Sequence, residues 1–136
     1  MAGQMLMYTY VTGLISRICK KFIPHDQTYV DESYSEHIEF ILVTIDKIGQ
    51  LMPDDSTSNH WRGHFWKMKE ELIGSPNRHG INKAKRIWDS MHGGMGSWND
   101  YYIPHAEQNV MTRLNEELQK HCALLSRNLE CVQQHD

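Results

Sequence analysis

The chain has 136 residues, of which 40% are hydrophobic and 23% charged, and a formal net charge of −3. This composition excludes a disordered or fibrous protein, and the negative charge argues against a dedicated nucleic-acid binder. A chain of this length buries roughly two thirds of its unfolded surface, so we expect a single domain over residues 1–136. The cysteines form an odd set without CxxC spacing: Cys19, Cys122 and Cys131. This set favours reduced thiols and a cytoplasmic protein over a disulfide-bonded secreted one.

The N-terminal run is apolar enough to form a core helix, which we predict from about Gln4 to Phe22 and which Pro24 ends. Polar residues interrupt the run too often for a membrane segment, and no small-residue cleavage site follows a basic leader. Tyr8 and Tyr10, with the methionines of this run, are candidates for the exposed face of a homodimer.

Apolar residues with a 3.6-residue period predict four further helices, and no convincing strand pattern is present. The apolar stripes run from Tyr34 to Met52, from Trp61 to Leu72, from Ile81 to Met91 and from Met111 to Val132. Ser33 and Glu36 form a capping box that starts the first of these helices, and Gly93 is placed to end the third. The short connections between them predict an all-α fold, a compact single-domain bundle of about five helices.

Four acidic residues on the helix that begins near Ser33 share a narrow angular sector opposite its isoleucines: Glu32, Glu36, Glu39 and Asp46. We call them the acidic ridge and expect them to face solvent. In one interpretation, these residues are simply the solvent-facing side of an amphipathic helix. The other is a docking surface for a basic protein partner, which would relieve the mutual repulsion of the carboxylates and speed association.

The region from Arg62 to Arg86 is basic, with seven cations against two carboxylates. Four of these cations alternate with three tryptophans, a pattern typical of single-stranded nucleic-acid binders: Arg62, Lys83, Lys85 and Arg86, with Trp61, Trp66 and Trp88. Trp61 and Trp88 fall on the apolar stripes, however, which favours a core role. His60 and His64 lie one helical turn apart, a spacing that suits a metal ion if folding supplies a third ligand.

Three glycines within four positions mark the segment that we call the glycine loop, residues 93–100: Gly93, Gly94, Met95, Gly96, Ser97, Trp98, Asn99 and Asp100. In a structural interpretation, the short polar side chains bond to loop backbone while Met95 and Trp98 insert into the core. In a chemical interpretation, Ser97, Asn99 and Asp100 join His92 in a site for a small ligand, a nucleotide or hydrolysis. No G-x-S-x-G or G-x-x-x-x-G-K-[ST] motif accompanies them.

The glycine loop resembles the signature of a family of small bacterial proteins, mostly uncharacterised, in which a helix is followed by G-G-M-G-S, an apolar or aromatic residue and N-D. Residues 93–100 fit this signature throughout, and the likeness extends more loosely from Trp61 to about Leu125. The resemblance implies a helical domain with this loop as its hallmark. In size, charge and helical class the chain also resembles the immunity proteins that bacteria encode beside secreted toxins.

These observations favour a cytoplasmic inhibitor that binds another protein, most concretely an immunity protein that neutralises a basic toxin domain of the nuclease type. Because a nuclease presents cations to phosphate, the acidic ridge would imitate the charge of its substrate. Such a protein needs no cofactor, metal ion or catalytic group. The alternative is a small-ligand or nucleotide-binding protein, or a hydrolase, centred on the glycine loop.

Overall fold

A computed structural model describes residues 32–130, and in this range every regular element is helical. The elements are α1 (Glu32–Leu51), α2 (Ser56–Gly74), α3 (Arg78–Met91), a 3-10 helix (Trp98–Asp100) and α4 (Gln108–Glu130). The predicted all-α class is therefore confirmed, with four α-helices in the described range where about five were expected for the whole chain. The helix predicted from Gln4 to Phe22, with its dimer face, lies outside the described residues.

The helix starts follow from short polar side chains. Asp55 precedes α2 and accepts a 2.7 Å hydrogen bond from the backbone N–H of Ser58. Asn77 precedes α3 in the same way and accepts from two backbone N–H groups of the first turn. Both are preferred capping residues, because their side chains satisfy N–H groups that have no partner within the helix. Ser33, predicted to be the cap of α1, is instead the second residue of that helix as the structure describes it.

The carbonyl end of α1 is held by a side chain from the next helix. The guanidinium group of Arg62 donates to the backbone oxygens of Gly49, Met52 and Pro53, at 3.3, 2.5 and 3.2 Å. A cation at a helix C-terminus also complements the helix dipole. Arg62 therefore fixes the turn between α1 and α2.

Helices α2 and α3 form one closely packed pair, and α1 packs against α4. In the first pair, a Cβ atom built on Gly80 would lie 1.8 Å from the backbone oxygen of Ser75, so only glycine permits this approach. In the second pair, His37 Nε2 donates to the backbone oxygen of Asn128 at 2.6 Å. The two pairs share one core of isoleucine, leucine, methionine and tryptophan side chains.

The predicted apolar stripes face this core. Ile38, Ile41 and Ile48 of α1 are fully buried, as are Met68 and Leu72 of α2. None of the helices between residues 32 and 130 has an apolar stretch that would cross a bilayer.

Candidate functional site

The glycine loop turns by means of backbone angles that L-residues rarely adopt. The φ angles of Gly93, Gly94 and Gly96 are +130°, +80° and +76°. A Cβ atom at any of them would meet nothing within 4 Å, so the glycines serve the backbone conformation and not a close approach.

Two polar side chains of the loop bond to the loop's own backbone. Ser97 Oγ accepts from the N–H of Asn99 at 3.3 Å, and Asp100 Oδ2 accepts from the N–H of Gly96 at 2.6 Å. These hydrogen bonds close the turn and start the 3-10 helix. Of the four residues in the chemical interpretation, Ser97 and Asp100 thus hold the backbone, whereas His92 and Asn99 line a cavity described below.

The two large apolar residues of the loop lie in opposite environments. Trp98 is 6% exposed, and its ring centroid lies 5.2 Å from that of Phe65 and 5.6 Å from that of Trp61. Met95 at the tip is 99% exposed. The prediction that both insert into the core is right for Trp98 and wrong for Met95, because the positive φ angles on either side of Met95 carry the tip away from the helices.

Beyond the loop, Tyr101 connects this region to the start of α2. Its ring stacks on Trp98 at 4.8 Å, and its hydroxyl lies 2.7 Å from Ser58 Oγ. Burial raises the pKa of Tyr101, and the charge of Asp55 raises it further. Hydrogen bonds from Ser58 lower the pKa of Asp55, which stays ionised at neutral pH.

This contact brings the residues around Tyr101 and those that precede α2 to one end of the bundle, where Asp54, Asp100 and Tyr102 are exposed and Asp55 is partly buried. Asp54 and Asp55 precede α2, while Asp100 and Tyr102 flank Tyr101 in the chain; Tyr102 is 62% exposed. We call these four residues the acidic end. The segment that carries Tyr102 is fixed on its far side by Asn115, whose amide group bonds to both the N–H and the carbonyl oxygen of Ile103, at 2.7 and 2.9 Å.

A half-open cavity of about 280 Å³ lies between the 3-10 helix and α4, and we call it the α4 cavity. Its walls include Trp88, His92, Trp98, Asn99 and Tyr101 on one side and Gln119, Cys122 and Ser126 on the other. Trp88 Nε1 donates to Ser126 Oγ at 2.9 Å and so joins α3 to α4 behind the cavity. Burial raises the pKa of Cys122 to about 11, so its thiol stays protonated at neutral pH.

The acidic ridge does not form a continuous solvent-facing surface. Glu36 is exposed, but Glu39 is only 8% exposed, and Asp46 Oδ1 lies 2.6 Å from Lys69 Nζ. The side chain of Glu32 lies outside the described residues. The expectation that all four face solvent is therefore wrong for Glu39 and Asp46. The reason is that α1 has neighbours on both flanks: Asp46, two turns after Glu39 on the same stripe, lies beside α2.

We call the four cations and three tryptophans singled out between Trp61 and Trp88 the basic patch, and most of them are likewise engaged within the molecule. Arg62 holds the end of α1, Lys83 lies 3.5 Å from Glu71, and Lys85 lies 2.7 Å from Asp89; Arg86 is exposed. Two of its three tryptophans, Trp61 and Trp88, are buried in the core, whereas Trp66 is 60% exposed. The patch therefore does not present alternating cations and rings on one surface.

His60 and His64 have ring centroids 4.9 Å apart, but His64 Nδ1 contacts the backbone oxygen of His60 at 3.2 Å and therefore donates to it. Within residues 32–130, no three histidine, cysteine, aspartate or glutamate side chains converge as they would around a metal ion. The pair alone supplies two ligands, and neither His92 nor His105 joins it.

Comparisons with protein-family models, with curated proteins and with solved structures gave no match to this chain. The resemblance of the glycine loop to a bacterial family stays a prediction. Sequence reasoning missed the α4 side of the cavity. A signal existed there, because Gln119, Cys122 and Ser126 recur at helical spacing as an uncharged stripe of polar and small residues beside the leucines of this helix. The partner wall, formed 38 positions away by Trp88, is not visible from sequence spacing.

Proposed function

We propose that this protein is a cytoplasmic inhibitor that binds another protein, most concretely an immunity protein that neutralises a basic toxin domain of the nuclease type. The observation that carries the proposal is the acidic end, where Asp54, Asp55 and Asp100 accompany the exposed ring of Tyr102. The contact surface proposed here differs from the one expected from sequence, because half of the acidic ridge is covered or paired.

Charge and aromatic surface at the acidic end suit a cationic partner. A nuclease must hold phosphate with lysine and arginine side chains, so carboxylates at matching positions attract it and occupy its substrate surface. Tyrosine is enriched among the residues that dominate binding energy at protein interfaces, since it buries a large ring with little loss of conformational entropy. Tyr102 would supply the anchor and the carboxylates the orientation.

The acidic end is also rigid, which favours binding. Asp55 caps α2, Asp100 holds the N–H of Gly96, and Asn115 fixes the backbone of Ile103. Groups that are already ordered lose less entropy on association. Glu36, the exposed member of the acidic ridge, remains a second candidate contact, together with Glu32.

The test is whether the protein inhibits a basic nuclease toxin domain, which we would seek first in the reading frames next to its own. We expect a combined change of Tyr102→Ala and Asp54→Lys to weaken binding at least about tenfold and to restore nuclease activity. Asp54 suits the test because it is exposed and its one described bond is to Asn59 at 3.1 Å, so the fold should tolerate its loss. Glu130→Lys is the matched charge control, because Glu130 is exposed and lies roughly 22 Å along α4 from Asn115, the residue that holds the backbone next to Tyr102.

The results separate the two acidic surfaces. Loss of inhibition on changing Tyr102 and Asp54, with Glu130→Lys unaffected, supports the acidic end. Loss on Glu36→Lys alone moves the contact to α1. Full inhibition by every variant, or no inhibition by the wild-type protein, would contradict the proposal.

A further inference from the structure

We propose that the α4 cavity binds a small, neutral, planar heterocycle that carries both ring N–H and carbonyl or imine groups, of the nucleobase type. The cavity adjoins the acidic end through Asn99 and Tyr101, but none of the four residues of the acidic end lines it, and the proposal does not depend on protein binding. It rests on the size of the cavity, its aromatic walls and the arrangement of its polar groups.

The volume limits the ligand to one ring system. At about 280 Å³ the α4 cavity lies just below the range for small-molecule sites, roughly 300–1,000 Å³. A purine or pyrimidine fits this space, whereas a dinucleotide would project into solvent.

The walls favour a planar ligand. His92 packs edge-on against Trp88, with ring centroids 4.5 Å apart and an interplanar angle of 69°. Trp98 and Tyr101 form a parallel stack with an interplanar angle of 10°. Trp88 and Trp98 are almost fully buried, so they form the back of the cavity, while the partly exposed rings of His92 and Tyr101 have surface left for an incoming ring. Aromatic rings favour offset-stacked or edge-to-face contacts.

The polar groups favour a ligand with both donors and acceptors. His92 Nδ1 lies 2.7 Å from the backbone oxygen of Trp88, which can only accept, so Nδ1 carries a proton; in that tautomer Nε2 is an acceptor. Ser126 Oγ accepts from Trp88 and keeps its own proton to donate. Gln119 and Asn99 add amide groups, each of which both donates and accepts.

The residues that line the cavity also favour an uncharged ligand. All of the residues that line the α4 cavity are described, and none of them is aspartate, glutamate, lysine or arginine. A free base would therefore lose less on entering than a phosphorylated nucleotide, whose phosphate has no cation there to pair with.

The experiment titrates the full-length protein with adenine and uracil and follows the indole N–H signals by NMR. The chain has four tryptophans. Trp88 and Trp98 line the cavity, while Trp66, bonded through Nε1 to Glu70 on the outer side of α2, serves as an internal reference. We expect the signals of Trp88 and Trp98 to shift with a Kd at or below about 1 mM and that of Trp66 to stay in place.

Two variants and two controls define the site. Ala123→Leu, at an exposed helical position that lines the cavity, should fill it and weaken binding at least about tenfold. Gln119→Leu should weaken binding about fivefold through loss of hydrogen bonds, while Gln108→Leu makes the same change outside the cavity. Benzoate, a charged ring of similar size, should bind more weakly than either base.

Shifts confined to the cavity tryptophans and lost in Ala123→Leu support the proposal. Three results overturn it: no shift with either base at millimolar concentration, an unchanged affinity in Ala123→Leu with its fold intact by circular dichroism, or benzoate binding as tightly as the bases. None of them bears on inhibition of a toxin domain, so the two proposals fail independently.

Discussion

The glycine loop and the acidic ridge differ in where their polar groups find partners. In the loop, Ser97 and Asp100 bond to backbone N–H groups within four residues of themselves. On α1, Asp46 pairs with Lys69, which is 23 positions away in the chain. Local partners can be inferred from a sequence, whereas partners from another helix depend on how the bundle packs. The same difference predicts how each region responds to substitution.

The largest effect on stability is expected from Trp98, which holds the glycine loop in the core. Trp98→Ala removes a buried ring that contacts Trp61, Phe65 and Tyr101, and should lower the free energy of unfolding by about 3–5 kcal/mol. Met95→Ala is the matched control, because Met95 is 99% exposed, and it should change stability by less than about 0.5 kcal/mol. Urea unfolding followed by circular dichroism measures both. Equal losses in the two variants would mean that the tip of the loop is packed in solution.

A smaller effect is expected from the loop backbone. Gly94→Ala forces an L-residue to a φ of +80° and should cost about 1–2 kcal/mol, although the added methyl group meets no neighbour. Gly63→Ala is its counterpart in the exposed middle of α2, where a Cβ atom also meets nothing within 4 Å. This variant should gain about 0.5–1 kcal/mol, because alanine favours a helix over glycine. Destabilisation by Gly63→Ala, or none by Gly94→Ala, would contradict the assignment of strain to backbone angles.

The ion pair between Asp46 of the acidic ridge and Lys69 should contribute less to the free energy of unfolding than Trp98 or the loop glycines. A double-mutant cycle of Asp46→Asn and Lys69→Met should give a coupling energy of about 0.5–1 kcal/mol, because both side chains are only partly exposed. The same cycle on Lys85 and Asp89, a pair one helical turn apart whose carboxylate is 58% exposed, provides the control and should give about 0.3–0.5 kcal/mol. A coupling near zero for the first pair would indicate that Asp46 is free to meet another molecule after all.

Sequence patterns predicted the parts of this fold that depend on neighbours along the chain. The apolar stripes of α1 to α4 follow from the helical period, and the turn after Met91 follows from its glycines. The exposure of Glu39 could not be predicted in this way, because the helical period gives an angle on α1 but not the positions of α2 and α4 beside it. The α4 cavity was missed for the same reason: its walls come from three elements that meet only in the folded chain.

The smallest effect on stability is expected on the side of α1 that faces α4. There, Lys47 lies close enough to His121 of α4 to influence the pKa of its imidazole. Burial lowers the pKa of His121 below its ordinary value of 6.5, the charges of Lys47 and Lys120 lower it further, and Glu117 opposes them. The unfolded chain therefore binds this proton more readily than the folded one, so stability is complete above about pH 6.5 and falls as the pH drops through the lower, folded pKa. His121→Gln should flatten this slope below about pH 6.5.

Two further variants show which charge causes the slope at His121. Lys47→Gln removes a repulsive charge from α1, so the pKa of His121 should rise toward 6.5 and the slope should be reduced but not abolished, since burial remains. His79→Gln, at an exposed position of α3, should leave the slope as in the wild-type protein. Unfolding free energies measured at several pH values test all three. If Lys47→Gln leaves the pH slope unchanged, the charge of Lys47 is screened by solvent and does not reach His121. The side of α1 that faces α4 would then depend less on partners from another helix, and would differ less from the glycine loop, than the packing of α1 and α4 indicates.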